Sequence, residues 1–255
     1  LGKLVSLIDK VDSIVGFFII GKQPTSSKDP LALRRTALGI IRIVIEGELD
    51  FNLSDIVSNS LDSYKNFGFS KKLSDETIYE NIKNKILQFI LERYEYLMKD
   101  NKSYKNNYFK SIRYDLLKIN LLKINDNLVF LSSFLNSSEG LKLLNAIKRV
   151  INITESEHSH YKNNDKIKPD ITLFSENEEH ELYKVVNKYV SSEEMKYEVL
   201  IKNLMFLVKP IENFFDNVQI NHQNIKLKKN RLELLFYVNN KINNNINFIN
   251  LIKRN

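Results

Sequence analysis

Apolar residues recur every three or four positions over most of this chain, the spacing that places them on one side of an α-helix. The pattern predicts helices at residues 1–21, 30–46, 74–97, 112–124, 126–135, 138–153, 176–190, 192–215 and 224–240. The sequence contains no sustained alternation of apolar and polar residues with hairpin turns. The predicted fold class is therefore all-α, a bundle of helices.

The second predicted helix has the clearest start. Asp29 can accept hydrogen bonds from the free N–H groups of a first turn, and Pro30 suits the first helical position. At 100° per residue one side of this helix collects its apolar residues, namely Leu33, Ala37, Leu38, Ile40, Ile41, Val44 and Ile45. Arg34 projects into the same apolar arc. We expect its guanidinium to meet a carboxylate or to reach past the core to a surface or ligand.

The segments between the helices divide the chain into three predicted regions. Residues 1–21 form one helix, which ends at Gly21 before a surface loop. Residues 22–73 form a connecting segment, less regular from residue 47 onwards, and residues 74–255 form a larger helical domain. Within that domain we predict a polar turn at 99–111 and a mobile connector at 154–168.

Composition narrows the class of protein only moderately. The net charge of +7 suits a polyanionic partner such as RNA, but abundant Asn, Lys and Ile also follow from an AT-rich genome. The absence of cysteine excludes disulfides, thiolate zinc sites and thiol nucleophiles. The run from Val15 to Ile20 is far shorter than the roughly 20 residues that cross a bilayer, so we predict no membrane association. A cytoplasmic location is expected because the absence of cysteine fits a reducing compartment. Because a helical pattern is already under way at Leu1, we expect the chain to be a fragment.

The sequence offers weak candidates for catalysis or metal binding. It has no glycine-rich phosphate loop, HExxH or GxSxG motif. His158 and His160 could hold a metal with Glu155 or Glu157, but the polar composition around them favours a solvated loop. Asp9 and Asp12 are neighbours on the first helix, where paired carboxylates serve either acid–base chemistry or salt bridges. We predict that this chain has no catalytic residue and no metal site.

Three groups of basic and amide residues could lie along a phosphate backbone. The nine candidate residues are Lys28, Arg35, Arg42, Lys148, Arg149, Asn152, Lys228, Asn230 and Arg231. Solvated helix faces or intramolecular salt bridges are the alternative for each. Five aromatic residues lie among basic and amide positions and could stack on unpaired bases or pack in the core, namely Tyr94, Tyr96, Tyr104, Tyr108 and Phe109.

Two segments carry a family resemblance. Residues 8–18 (IDKVDSIVGFF) and 24–43 (PTSSKDPLALRRTALGIIRI) resemble the signature of glycyl-tRNA synthetase β subunits. Shorter similarities follow at Glu92-Arg93, Lys148-Arg149-Val150, Pro169-Asp170 to Phe174, and Asn230-Arg231-Leu232. Ser26, Leu31 and Thr36 depart from the family's usual Gly, Phe and Ala.

The resemblance implies an α₂β₂ enzyme that joins glycine to its tRNA. In that family the α subunit holds the class II site and uses ATP with Mg²⁺, so this chain would bind no cofactor itself. Its expected partners are glycine tRNA and the α subunit. Residues 1–21 would end an HD-like domain, and residues 74–255 would form an anticodon-binding domain of the DALR type, with the nine candidate residues contacting tRNA. The alternative is a scaffold for subunit assembly, which the position of Arg34 favours.

Overall fold

The computed structural model describes the chain apart from residues 26, 69–70, 101–105, 158–166, 191–195, 245 and 253–255. The described α-helices are α1 Gly2–Ile19, α2 Leu33–Glu46, α3 Leu53–Asn66, α4 Glu76–Asp100, α5 Asn106–Ser111, α6 Leu121–Leu135, α7 Ser138–Ser156, α8 Asn177–Tyr189, α9 Tyr197–Met205, α10 Val208–Asn217, α11 Ile225–Asn243 and α12 Phe248–Ile252. Short 3₁₀ turns lie at Lys71–Ser74, Leu116–Lys118 and Ile171–Leu173. These described residues contain no β-strand, and one isolated bridge pairs Ile112 with Ile246. The predicted all-α class is confirmed.

The chain divides into two compact units. The N-terminal unit comprises Leu1–Asn106 with Tyr114–Asp126, and the C-terminal unit comprises Asn107–Arg113 with Asn127–Asn255. Helix α4 packs against α1, α2 and α3 and so belongs to the N-terminal unit. The boundary predicted near residue 73 therefore falls inside this unit rather than between the two.

The N-terminal unit is a bundle whose helices bury one apolar face each. On α1 the buried residues are Leu7, Val11, Ile14, Val15 and Phe18, and on α2 they are Leu33, Ala37, Ile40, Ile41 and Val44. Helices α1 and α3 approach closely at Gly16, where an added Cβ would lie 2.6 Å from the Tyr64 hydroxyl. The missing side chain at Gly16 thus leaves room for the Tyr64 ring to pack across α1.

The C-terminal unit is built around α7, which packs against α9, α10, α11 and α12. Its start is fixed by Ser137, whose hydroxyl accepts a hydrogen bond from the Gly140 N–H at 3.1 Å. A Cβ at Gly140 would lie 2.8 Å from the Leu135 Cα. Only glycine therefore fits where the end of α6 and the start of α7 meet.

Several helices differ from the predicted ones, and those predicted at 112–124 and 126–135 are one helix, α6, at Leu121–Leu135. Helix α3 occupies part of the stretch that we expected to be irregular. Its start is stabilised by Asn52, whose side chain accepts a hydrogen bond from the Ser54 N–H at 3.0 Å. The helix predicted at 192–215 is two helices, α9 and α10, joined at Phe206 and Leu207. Helix α2 starts three residues later than predicted, for a reason that lies in the loop before it.

Candidate nucleic-acid interface

Helix α2 is capped by Asp29 from a distance. Its carboxylate accepts the Leu33 N–H at 2.9 Å and the Arg34 N–H at 3.0 Å. This reach requires the chain to fold back between Asp29 and Leu33, and Ala32 does so in the left-handed region with φ of 53°. The prediction that Asp29 caps this helix is confirmed, whereas Pro30 lies in the turn before the helix and not at its first position.

Arg34 closes the same loop from within the protein. The residue as a whole is half-buried, and its guanidinium donates to the carbonyl oxygen of Thr25. Thr25 and Lys28 add a reciprocal pair, since the Thr25 N–H donates to the Lys28 carbonyl at 3.0 Å and the Lys28 N–H donates to the Thr25 hydroxyl at 3.2 Å. This bond to a backbone carbonyl gives Arg34 a role in holding the loop.

The N-terminal unit exposes the first group of candidate cations. Lys28 is exposed in the loop, and Arg35 and Arg42 are exposed on α2. Arg42 follows Arg35 by seven residues, so the two side chains are about 20° apart around the helix axis and lie on the same side of the helix. This side faces away from the buried apolar stripe of α2.

Helix α7 exposes the second group. Lys148, Arg149 and Asn152 are all exposed and fall within about 100° of arc around the helix axis. The Arg149 guanidinium lies 4.5 Å from the centroid of the Phe215 ring and 3.3 Å from the Asp216 carboxylate. Phe215 and Asp216 therefore orient the Arg149 guanidinium, and the Asp216 carboxylate also partly neutralises its charge.

One further cation shares the exposed face of α7. Lys142 is exposed and lies seven residues, or two turns, before Arg149. It is absent from the nine candidate residues predicted from the sequence, although the seven-residue spacing was a usable signal.

The third group divides between surface and core. Lys228 is half-buried in the first turns of α11. Asn230 is 2% exposed, and its side chain pairs with the backbone of Asp170. It accepts the Asp170 N–H at 2.7 Å and donates to the Asp170 carbonyl at 2.9 Å. Our placement of Asn230 on an RNA-facing surface is thus corrected, because both ends of its amide bond the protein.

Arg231 needs the same correction. It is 2% exposed and forms a buried ion pair with Glu179, the Nε lying 3.3 Å from a carboxylate oxygen. The guanidinium also donates to the Ser175 hydroxyl and to the Gln219 carbonyl, both at 2.8 Å. Glu179 in turn accepts the N–H groups of Ser175 and Glu176, each at 3.0 Å. Arg231 therefore joins α11 to the start of α8 and to the segment after α10.

Most of the candidate aromatic residues belong to the core. Tyr94, Tyr108 and Phe109 are buried, whereas Tyr104 lies outside the described residues. Tyr96 is exposed on α4, with the Arg93 guanidinium 5.9 Å from its ring centroid.

One of the two acidic candidates on α1, Asp12, has a packing role. Asp12 accepts the Ser60 hydroxyl at 2.8 Å and the Tyr64 hydroxyl at 3.2 Å, which ties α1 to α3. The residues that the structure describes hold no cluster of three His, Cys, Asp or Glu side chains suited to a metal ion. His158 and His160 lie outside those residues. None of the described helices is both long and apolar enough to cross a membrane.

Comparisons with known proteins agree with the resemblance. Residues 1–113 match the family model of the glycyl-tRNA synthetase beta subunit, and residues 143–252 match that of the DALR anticodon binding domain. The glycine–tRNA ligase beta subunit of Rickettsia africae (strain ESF-5) is 38% identical over 239 residues, which are 91% of this chain and 32% of the relative. That of Rickettsia bellii (strain OSU 85-389) is 37% identical over 233 residues, again 91% of this chain and 32% of the relative.

The chain thus spans about a third of the length of the curated relatives it matches. The DALR match lies wholly within the C-terminal unit, the unit that carries Lys148, Arg149 and Lys228. On these matches residues 1–113 are similar to the glycyl-tRNA synthetase β-subunit family, and residues 143–252 are similar to the DALR anticodon binding domain.

Proposed function

We propose that this chain is a tRNA-binding part of a glycine–tRNA ligase, whose β subunit supports the ATP-dependent attachment of glycine to tRNA by an α subunit. The observation that carries the proposal is that a β-subunit match and a DALR match occur on one chain. The expected partners are glycine tRNA and the α subunit in an α₂β₂ enzyme of the cytoplasm. ATP and Mg²⁺ would act at the α subunit, and this chain would supply neither catalyst nor cofactor.

The exposed face of α7 is the first candidate for tRNA contact. Lys148 and Arg149 can neutralise phosphates, and the Asn152 amide can donate to phosphate or sugar oxygens one turn further on. Lys228 adds a cation on α11 of the same unit. In the N-terminal unit, Lys28, Arg35 and Arg42 form a second candidate contact. Asn230 and Arg231 are left out, since their side chains are already bonded inside the protein.

The test measures the affinity of the 255-residue chain for glycine tRNA as a function of salt. Each neutralised phosphate contributes a slope of about −0.7 to −0.9 in log K against log salt. Lys148→Glu with Arg149→Glu should weaken binding at every salt concentration and reduce the slope by about one for each phosphate that the variant no longer neutralises. Lys123→Glu is the matched control, because Lys123 is exposed in the first turn of α6, where an acidic residue is well tolerated.

Two results would contradict the proposal. One is a wild-type chain that shows no salt-dependent affinity for glycine tRNA, alone or with the α subunit. The other is a Lys148→Glu, Arg149→Glu variant that binds tRNA as tightly and with the same salt slope as the Lys123→Glu control.

A scaffold is the second candidate function, and α1 carries the observation that favours it. Leu4, Val5 and Ile8 repeat at helical spacing, yet all three are between 47% and 61% exposed. An exposed apolar stripe of this kind is typical of an assembly surface. If the scaffold function dominates, Leu4→Lys with Ile8→Lys should abolish co-elution with the α subunit, while the double charge reversal on α7 should leave aminoacylation unchanged. Loss of aminoacylation with intact assembly after the α7 reversal supports tRNA binding instead.

A further inference from the structure

The C-terminal unit presents an aromatic stack near its surface. Tyr189 is the last residue of α8, and Phe206 follows the last residue of α9. Their rings are nearly parallel, with centroids 4.3 Å apart and an interplanar angle of 19°. The Lys188 ammonium lies 4.8 Å from the centroid of Tyr189. Phe206 nonetheless remains 54% exposed.

This stack differs from two ring contacts in the core of the same unit. Phe174 and Tyr237, which pack edge-on or tilted against Tyr183, are 9% and 8% exposed and so belong to the core. About half of the Phe206 surface remains in water, and that half contributes no free energy of burial. Packing within the unit therefore explains the stack only in part.

The charges around the stack favour an anionic ligand. Lys188 and Lys184 are exposed one turn apart on α8, and Lys209 is exposed three residues after Phe206. Lys202, one turn before Phe206, is also exposed but lies 3.3 Å from the Glu198 carboxylate. On the described residues of α8 and α9 together with Lys209, four exposed lysines outnumber two exposed carboxylates, those of Glu181 and Glu198.

We propose that the Tyr189–Phe206 stack is a platform for an unpaired nucleobase of RNA. Tyr189 already has Phe206 and the Lys188 ammonium against its ring, so the exposed ring of Phe206 is the one that receives the base. A flat base continues a parallel stack, and every base offers such a face whatever its sequence. Lys188 and Lys209 then serve the adjoining phosphates. This inference rests on the tRNA-binding function proposed above and adds to it the residues that contact a base.

The absence of tryptophan makes the test direct. Phe206→Trp introduces the sole tryptophan of the chain, and its fluorescence should be quenched when a base stacks on it. The RNA is the anticodon stem-loop of glycine tRNA, compared with a fully paired duplex of the same stem. Quenching should require the unpaired loop. Phe67→Trp is the matched control, since Phe67 is an exposed phenylalanine of the other unit.

Affinity provides a second measurement. Phe206→Leu keeps an apolar side chain but removes the ring, and it should weaken stem-loop binding by roughly tenfold. Phe206→Trp should bind at least as tightly as the wild type, and Phe67→Leu should leave affinity unchanged. A merely structural Phe206 would instead lower the melting temperature in the leucine variant and leave tryptophan fluorescence insensitive to the unpaired loop.

The outcomes separate the two proposals. If the wild-type chain, alone or with the α subunit, binds neither these RNAs nor whole glycine tRNA, the tRNA-binding function itself is overturned. If it binds the stem-loop with a salt-dependent affinity, but Phe206→Trp is not quenched and Phe206→Leu binds normally, the platform is overturned while the tRNA-binding function stands. Quenching by the paired duplex to the same extent as by the stem-loop also overturns the platform.

Discussion

The buried ion pair of Arg231 and Glu179 allows a sharp prediction about stability. Arg231→Met removes the guanidinium but keeps an apolar side chain about as long as the aliphatic stem of arginine. Glu179, which is fully buried, then keeps the two N–H groups of Ser175 and Glu176 but loses its counter-charge. The Gln219 carbonyl also loses its donor at 2.8 Å. Removing one partner of a buried pair typically costs about 3–5 kcal/mol, and we expect a loss of that size.

A surface ion pair of the same chain supplies the control. Arg149→Met breaks the pair with Asp216, whose two side chains are 45% and 64% exposed. Exposed pairs contribute about 0–1 kcal/mol, so this identical substitution should change the free energy of unfolding by no more than that. Urea denaturation followed by far-UV circular dichroism measures both variants, because the chain has no tryptophan to report on unfolding.

The reasoning can also be tested through the partner residue. In Arg231→Met with Glu179→Gln, the neutral amide oxygen can still accept the two backbone N–H groups, and no buried charge is left unpaired. The double variant should therefore lose about 1–3 kcal/mol less than the sum of the two single losses. Additive losses, or an Arg231→Met variant no less stable than Arg149→Met, would show that Arg231 is not the internal clamp described above.

Two further predictions concern packing and pH. Gly140→Ala places a Cβ 2.8 Å from the Leu135 Cα, so it should lower the free energy of unfolding by about 1–3 kcal/mol. Gly2→Ala is the control, because a Cβ there has no atom within 4 Å and should leave stability unchanged or slightly higher. Thermal unfolding measures both variants. Burial raises the pKa of Tyr197 to about 12 from an unfolded value near 10, which means that the folded state holds this proton more tightly. The resulting stability is complete below pH 10 and is lost as the pH rises towards 12, so Tyr197→Phe should reduce the fall in urea midpoint over that interval.

Local periodicity predicted most of the helices because each buries one apolar face. Helix α8 was expected at 176–190 and runs over Asn177–Tyr189. The start of α2 was misplaced because Asp29 reaches N–H groups four and five residues away, which depends on the left-handed backbone at Ala32. Rules for capping assume a reach of two or three residues and so place the helix too early.

The candidate site was harder to predict, for a physical reason. A run such as Lys-Lys-Asn-Arg before Leu232 has the composition of a basic surface, and its local pattern is compatible with one. What buries Asn230 and Arg231 is contact with Asp170, Ser175 and Glu179, more than fifty residues away in sequence. No local spacing encodes which distant carboxylate will neutralise which arginine.

These internal contacts change how the net charge should be interpreted. The guanidinium of arginine offers several donors in a fixed plane, which suits the simultaneous bonds that Arg231 makes to Glu179, Ser175 and Gln219. A cation used in this way attracts little RNA, because its charge is compensated and its donors are occupied. The electrostatic attraction for RNA must then come from exposed groups such as Lys148. Substitution of Lys148 should therefore change RNA affinity at constant stability, whereas substitution of Arg231 should change stability first, and comparing the two variants separates the binding surface from the structure that supports it.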